Sequence, residues 1–152
     1  MSEQVNRLLK DLGPLLDPDE IRVTENGWLI VLDDKRLIDI EFDPVMNRIL
    51  LSCLVGHIDE SHHELTYRQL LQYNTLWLVT GGLRFSLSDN PNEVMLMLEL
   101  PVPALEVQLF YTAIQNFIEV GSCWSTIITR KIEAGSGGDV QADDLSCSLI
   151  KV

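Results

Sequence analysis

The order of hydrophobic periods along this chain predicts an α+β fold. A helical-period stretch comes first, then three or four alternating stretches, a second helix, two more strands and a final helix, an order that packs antiparallel strands by one face against helices. Turn chemistry separates these stretches at Gly13-Pro14, Asn26-Gly27, Asp43-Pro44, Gly81-Gly82 and Asp89-Asn90-Pro91-Asn92. With 152 residues, 46% of them hydrophobic, one domain can bury a core without a disulfide framework. The expected division is a domain over residues 1–133 and a flexible acidic tail over residues 134–152.

In order along the chain, Ser2 can cap a helix in which Val5, Leu8, Leu9 and Leu12 recur at helical spacing, and Gly13-Pro14 is expected to end it. Residues 21–25 and 28–32 then flank Asn26-Gly27, the strongest short hairpin signal in the sequence. After a turn at Asp33-Asp34-Lys35, Ile38, Ile40 and Phe42 alternate with Leu37, Asp39 and Glu41, which is the pattern of a half-buried strand. The run 48–57 is apolar on both faces, with Ile49, Leu51, Cys53 and Val55 opposite Leu50 and Leu54. That places it centrally in a sheet or under another chain.

The stretch from Glu64 to Leu100 carries more apolar surface than so short a unit can bury on itself. Ser61-His62-His63-Glu64 has the form of a capping box, and the helix it opens is expected to reach about Val79. Two apolar rows run along that helix, Tyr67/Leu71/Leu78 and Leu70/Tyr73/Trp77; one can serve the core and leave the other for a partner. Gly81 or Gly82 supplies a left-handed C-cap. Residues 83–88 and 94–100 then form a hairpin whose return strand presents Val94, Leu96 and Leu98 on one face and Met95 and Met97 on the other. The methionine face suits an adaptable contact, as well as it suits a core strand. Pro101 and Pro103 stop the strand and open the last helix, with an expected stripe of Leu105, Leu109, Ala113, Phe117 and Val120. Gly121 is expected to weaken or bend it.

Charge narrows the function. Twenty-three acidic against 11 basic residues give a formal charge of -12, which repels phosphate backbones and anionic lipid and argues against nucleic-acid and membrane-surface roles. Residues 1–13 hold charges throughout and lack the apolar core of a signal peptide. Three widely separated cysteines, Cys53, Cys123 and Cys147, with no CxxC spacing, predict reduced thiols and a cytoplasmic setting.

Catalytic chemistry finds little support. His57, His62 and His63 stand among Asp59, Glu60 and Glu64, but no HExxH spacing is present, and adjacent histidines at a helix start diverge too far to close a site on one metal. A thiol- or metal-dependent enzyme built on these histidines and a cysteine would need a depressed thiol pKa, and both Cys53 and Cys123 fall in apolar runs that raise it. Gly81-Gly82 precedes a strand and lacks the lysine of a phosphate-binding loop. The expectation is no catalytic residue, no metal and no cofactor.

LLQYNTLWLVTGGLRFSL, then a turn and VMLMLELP, then a helix holding LFYTAIQNFIE and Trp124, resembles the class I type III secretion chaperones, the Tir chaperone family. The resemblance covers most of the chain. The tail and the Asn26-Gly27 hairpin are its least typical parts. It implies an α-β-β-β-α-β-β-α protomer with a twisted antiparallel sheet, forming a homodimer through the second helix and neighbouring strands. It also implies a client: the extended N-terminal region of a secreted effector, bound without ATP and kept secretion-competent in the bacterial cytoplasm. A regulatory member would bind an anti-activator or other secretion regulator instead. On this reading Leu8, Leu12, Trp28, Ile30, Leu37 and Leu50 are expected at the client patches, and Tyr73, Trp77, Phe85, Met95 and Met97 at the dimer interface.

Overall fold

The computed structural model describes residues 3–32 and 35–134. In chain order the elements are α1 (Glu3–Leu16), β1 (Glu20–Val23), β2 (Gly27–Val31), β3 (Leu37–Asp43), β4 (Arg48–His57), α2 (His63–Asn74), β5 (Arg84–Leu87), β6 (Glu93–Pro101) and α3 (Val107–Ala134), with 3-10 turns at Glu60–His62 and Val102–Ala104. The strands form one six-stranded sheet in the order β1-β2-β3-β4-β6-β5. This is the predicted α+β class, with four strands ahead of α2 where the resemblance implied three. The described residues divide into two compact units, one running to Cys53 and including Met97–Gln115, the other comprising Leu54–Leu96 and the described residues from Asn116 onward.

In the first unit β1, β2, β3 and β4 pair antiparallel in sequence, with Ile21 opposite Ile30, Ile30 opposite Ile38 and Ile38 opposite Cys53. Side chains directly opposite one another share a face, so Trp28, Ile30, Ile38, Ile40, Leu51 and Cys53 lie together. α1 covers this face: a Cβ on Gly13 would meet Ile21 Cδ1 at 3.2 Å, and Val5, Leu8, Leu9 and Leu12 are buried. The Gln4 side chain donates to the Val102 carbonyl at 3.1 Å, tying α1 to the 3-10 turn that precedes α3. Buried Phe110, Ala113 and Ile114 supply the last apolar layer.

Two local expectations change here. α1 runs past Gly13-Pro14 to Leu16. Pro14 sits in the last turn, where its missing N–H costs a single helical bond, and the bond from Asp17 N–H to the Gly13 carbonyl closes the end. The hairpin between β1 and β2 turns one residue earlier than Asn26-Gly27 predicts: Thr24 N–H donates to the Gly27 carbonyl and Val23 faces Trp28. Gly27 is therefore already in β2. What it needs is space, because a Cβ there would lie 1.8 Å from the Ile40 carbonyl oxygen.

The turn from β3 to β4 is held tightly. Asp43 accepts from the N–H groups of Val45 and Met46 and from Arg48 Nε, and Arg48 also donates to Glu99. These partners, the Met46 N–H foremost, hold the Asp43 carboxyl below its ordinary range. Asn47 takes a left-handed φ of 49° and its carbonyl accepts from Val102 N–H.

The second unit is built on Tyr73, Phe85 and Trp124, whose ring centroids lie 4.8–5.6 Å apart in edge and tilted contacts, a geometry favourable for aromatic quadrupoles. Leu70, Leu83, Val94, Leu96, Phe117, Val120 and Ile128 complete its core. α3 passes through Gly121 without interruption. Its buried line is Phe110, Ala113, Ile114, Phe117, Val120, Trp124 and Ile128, while Leu109 is exposed. A run of i+4 steps gains about 40° at each step at ~100° per residue, so the stripe expected from Leu105 and Leu109 drifts off the buried face.

α2 departs most from expectation. No capping box forms: a 3-10 turn occupies Glu60–His62, α2 starts at His63 without a side-chain cap, and Glu64 instead pairs with Arg68 one turn on at 3.0 Å. The helix ends at Asn74, not Val79. Beyond it the chain coils through bonds from Leu76 N–H to the Tyr73 carbonyl and from Val79 N–H to the Leu76 carbonyl, until Gly81 and Gly82, at φ 64° and 92°, stop it with a bond from Gly82 N–H to the Trp77 carbonyl. That is the glycine stop anticipated from sequence. Residues 135–152, which include nearly all of the predicted tail, lie outside the described residues.

Candidate functional site

The second unit displays a continuous run of apolar side chains that its own core leaves uncovered. Leu71 is 66% exposed, Trp77 51% and Leu78 78%, with Leu76 and Val79 also exposed. Beside them, between α2 and β5, opens a groove of about 260 Å³ lined by Tyr67, Leu70, Leu71, Asn74, Phe85, Ser86 and Leu87. Tyr67 anchors one wall: its hydroxyl donates to the Pro91 carbonyl at 2.6 Å and its ring stacks on His63 at 5.0 Å. Asn74 anchors the other through two bonds to the backbone of Phe85.

The helix ending at Asn74 decides which apolar row faces outward. Leu70 and Tyr73 of one row are buried, and Leu71 and Leu78 of the other are exposed. Trp77 would sit a turn beyond Tyr73 on a continuous helix, but the i→i−3 coil after Asn74 rotates it outward. Burial pushes the Tyr73 hydroxyl up to about 12.

Of the residues expected at the dimer interface, Tyr73 and Phe85 lie within the aromatic core, Trp77 and Met97 are exposed and Met95 is half-buried. Of those expected at the client patches, Leu8, Leu12 and Ile30 are enclosed by their own chain, Trp28 and Leu50 are half-buried and Leu37 is exposed. Strand register sets Trp28 and Ile30 on the face that α1 covers and Leu37 and Leu50 on the opposite face. Unanticipated were Val45 and Met46, strongly exposed at the rigid β3–β4 turn, and Val23 on β1. Only their apolar character within turn-rich sequence could have drawn notice to them.

The groups considered for chemistry do not converge. His57 approaches Glu93 at 3.4 Å, His62 lies 3.1 Å from Ser61 Oγ, and His63 stacks on Tyr67. Among the described residues no three His, Cys, Asp or Glu side chains gather where they could hold a metal ion. Cys53 is a thiol and is buried, and Cys123 lies half-buried on α3. Among the described residues no helix is long and apolar enough to cross a membrane.

The profile of the Tir chaperone protein (CesT) family matches residues 7–125. This chain belongs to that family. Solved structures with the same fold include the ExsC–ExsE complex, at 20% identity and a TM-score of 0.70 over 84% of this chain and 96% of that one. The HopA1–SchA chaperone–effector complex aligns at 16% identity and a TM-score of 0.65, over 84% and 94% of the two chains. The ExoT–SpcS complex from Pseudomonas aeruginosa aligns at 13% identity and a TM-score of 0.55, over 78% and 94%. No curated protein matches the sequence.

Proposed function

We propose that this protein is a cytoplasmic chaperone of a type III secretion system, which binds the extended N-terminal segment of a secreted effector as a homodimer and keeps it competent for secretion. The observation that carries this reading is the uncovered apolar run over residues 71–79 with its adjoining groove, in a chain of the Tir chaperone family. An apolar patch of this kind on a soluble acidic chain is the signature of a protein-contact surface. One of the solved structures above, HopA1–SchA, is a chaperone–effector complex in the same fold, which supports the assignment.

The dimer contact falls to the outward row of α2 and the coil after it, with Leu71, Trp77 and Leu78 central. The client falls to the first unit. There β1 is an edge strand, and the bond closing its hairpin at Thr24 directs the backbone groups of Ile21 and Val23 away from β2. An extended segment can add to this edge by main-chain pairing while its side chains reach Trp28 and Leu37. Holding a long segment takes a large, distributed contact and no chemical step, so no catalytic residue or cofactor is assigned.

The test is affinity capture from the native host with the tagged wild-type chain, followed by exchange mapping on the purified pair. An effector N-terminus that protects β1 and the sheet beside it supports the proposal. A secretion regulator as the main partner would move the protein to the regulatory reading. Stoichiometric metal together with an activity lost in His62→Ala would replace both.

A further inference from the structure

Asn74 makes a contact that neither helix capping nor core packing requires. Its side-chain Nδ2 donates to the Phe85 carbonyl at 2.9 Å, and Phe85 N–H donates to its Oδ1 at 2.8 Å. β5 is the outer strand at its end of the sheet, with β6 its sole neighbour in the strand order. In a strand, successive residues send their N–H and C=O to opposite edges. Ser88 N–H donates to the Glu93 carbonyl, so Ser88, Ser86 and Arg84 face β6, and Phe85 and Leu87 face outward. The carboxamide of Asn74 therefore meets the outward pair on Phe85, at the middle of a four-residue strand. A carboxamide is a peptide group in miniature, with one planar acceptor and a donor beside it. It fills the place a neighbouring strand would take.

We propose that Asn74 is a positioning residue that closes the β5 edge to strand addition, so that a second copy of this chain can dock on the α2–β5 surface only through side-chain packing. Open edge strands are sites of uncontrolled pairing, usually blunted by charge, proline or a covering element. β5 has an apolar groove alongside it and an exposed Leu87, which without the Asn74 lock make it a template for the β5 of another copy. With the lock in place, the groove offers apolar side chains and no main-chain partners at its centre. That surface suits a helix and rejects a strand.

The experiment compares wild type, Asn74→Ala and Asn74→Ala/Leu87→Lys by sedimentation velocity and amide exchange across a dilution series. In wild type the Phe85 amide stays protected even when the protein is diluted to the monomer, because its acceptor belongs to the same chain. Asn74→Ala is expected to form species larger than any wild-type form, with protection at residues 84–87 that rises with concentration. Adding Leu87→Lys sets a charge on the edge and is expected to return the wild-type size, a rescue that a general loss of stability would not show. A Phe85 amide left unprotected in wild type diluted to the monomer overturns the proposal, and this measurement needs no variant. So does a folded Asn74→Ala protein with wild-type sizes throughout. Wild-type self-association itself reports on the dimer described above, and the larger species reports on the lock, so either can fail alone.

Discussion

On the homodimer proposed above, replacing Leu71 and Leu78 together by aspartate is expected to leave a folded monomer. Full burial of a leucine side chain is worth about 1.5–3 kcal/mol. Leu71 and Leu78 are 66% and 78% exposed in the protomer, so covering what remains of each contributes about 1–2 kcal/mol. A two-fold interface uses each residue twice, giving four side chains and a total of about 4–8 kcal/mol. At about 1.4 kcal/mol per tenfold, the variant should dissociate at least a thousandfold more readily. Burying aspartates beside one another adds to that loss. Neither residue contributes to the protomer core, so protomer stability should stay within about 0.5 kcal/mol of wild type. Sedimentation equilibrium over a wide concentration range measures the association constant, and circular dichroism checks the fold. A doubly substituted protein that still dimerises with wild-type affinity would refute the assignment of residues 71–79 to the interface, whatever other contact then holds the copies together.

Gly27→Ala should cost about 2–4 kcal/mol in denaturant unfolding, because its Cβ would sit 1.8 Å from the Ile40 carbonyl oxygen; a loss below half a kcal/mol would mean β2 and β3 can separate freely there. Phe117→Ala, at a fully buried site, should lose about 3–5 kcal/mol, read by the same assay, and a smaller loss would indicate that the site collapses around the cavity. The Tyr73 hydroxyl, pushed up to about 12 by burial, stays neutral in the folded protein after an unfolded-chain tyrosine has ionised near pH 10. Its contribution to stability is thus complete below about pH 10 and fades as pH rises towards 12; phenolate absorbance should show a tyrosine titrating late in wild type and absent in Tyr73→Phe. Asn74→Ala should slow folding more than it speeds unfolding, since its partner lies only 11 residues away and local contacts tend to form early; stopped-flow folding with unchanged rates and faster unfolding would place the contact late.

Much of the fold was legible because periodicity reports burial directly. The alternation of Ile38, Ile40 and Phe42 against Leu37, Asp39 and Glu41 fixed a strand and its inner face, and the two-sided run 48–57 pointed to a central strand or one under another chain, of which β4 takes the first, between β3 and β6. What sequence misplaced were features decided by partners distant along the chain. α2 ends at Asn74, whose side chain bonds the backbone of Phe85, and no propensity within residues 64–79 signals that partner. Gly27 reads as a turn glycine because Asn-Gly is a turn dipeptide, whereas its reason is the backbone of β3. The α3 stripe failed at Leu109 because i+4 spacing alone cannot separate a buried line from one drifting off it. Charge and composition excluded whole classes of function, but which apolar residues would remain uncovered depended on where α2 ended, and so the candidate surface could be located only to the neighbourhood of that helix.

The turn between β3 and β4 has a consequence for how the chain tolerates change. Asp43, Arg48 and Glu99 clamp its base and Asn47 is tied to the backbone at Val102, so Val45 and Met46 are held out in solvent on a mount with few ways to relax. An insertion here could not be absorbed as loops usually absorb them, because lengthening the turn breaks the clamp and frees the start of α3 along with it. Two of the most exposed apolar side chains among the described residues thus sit at one of the places least able to vary in length. Substitution is open to this turn; resizing is not.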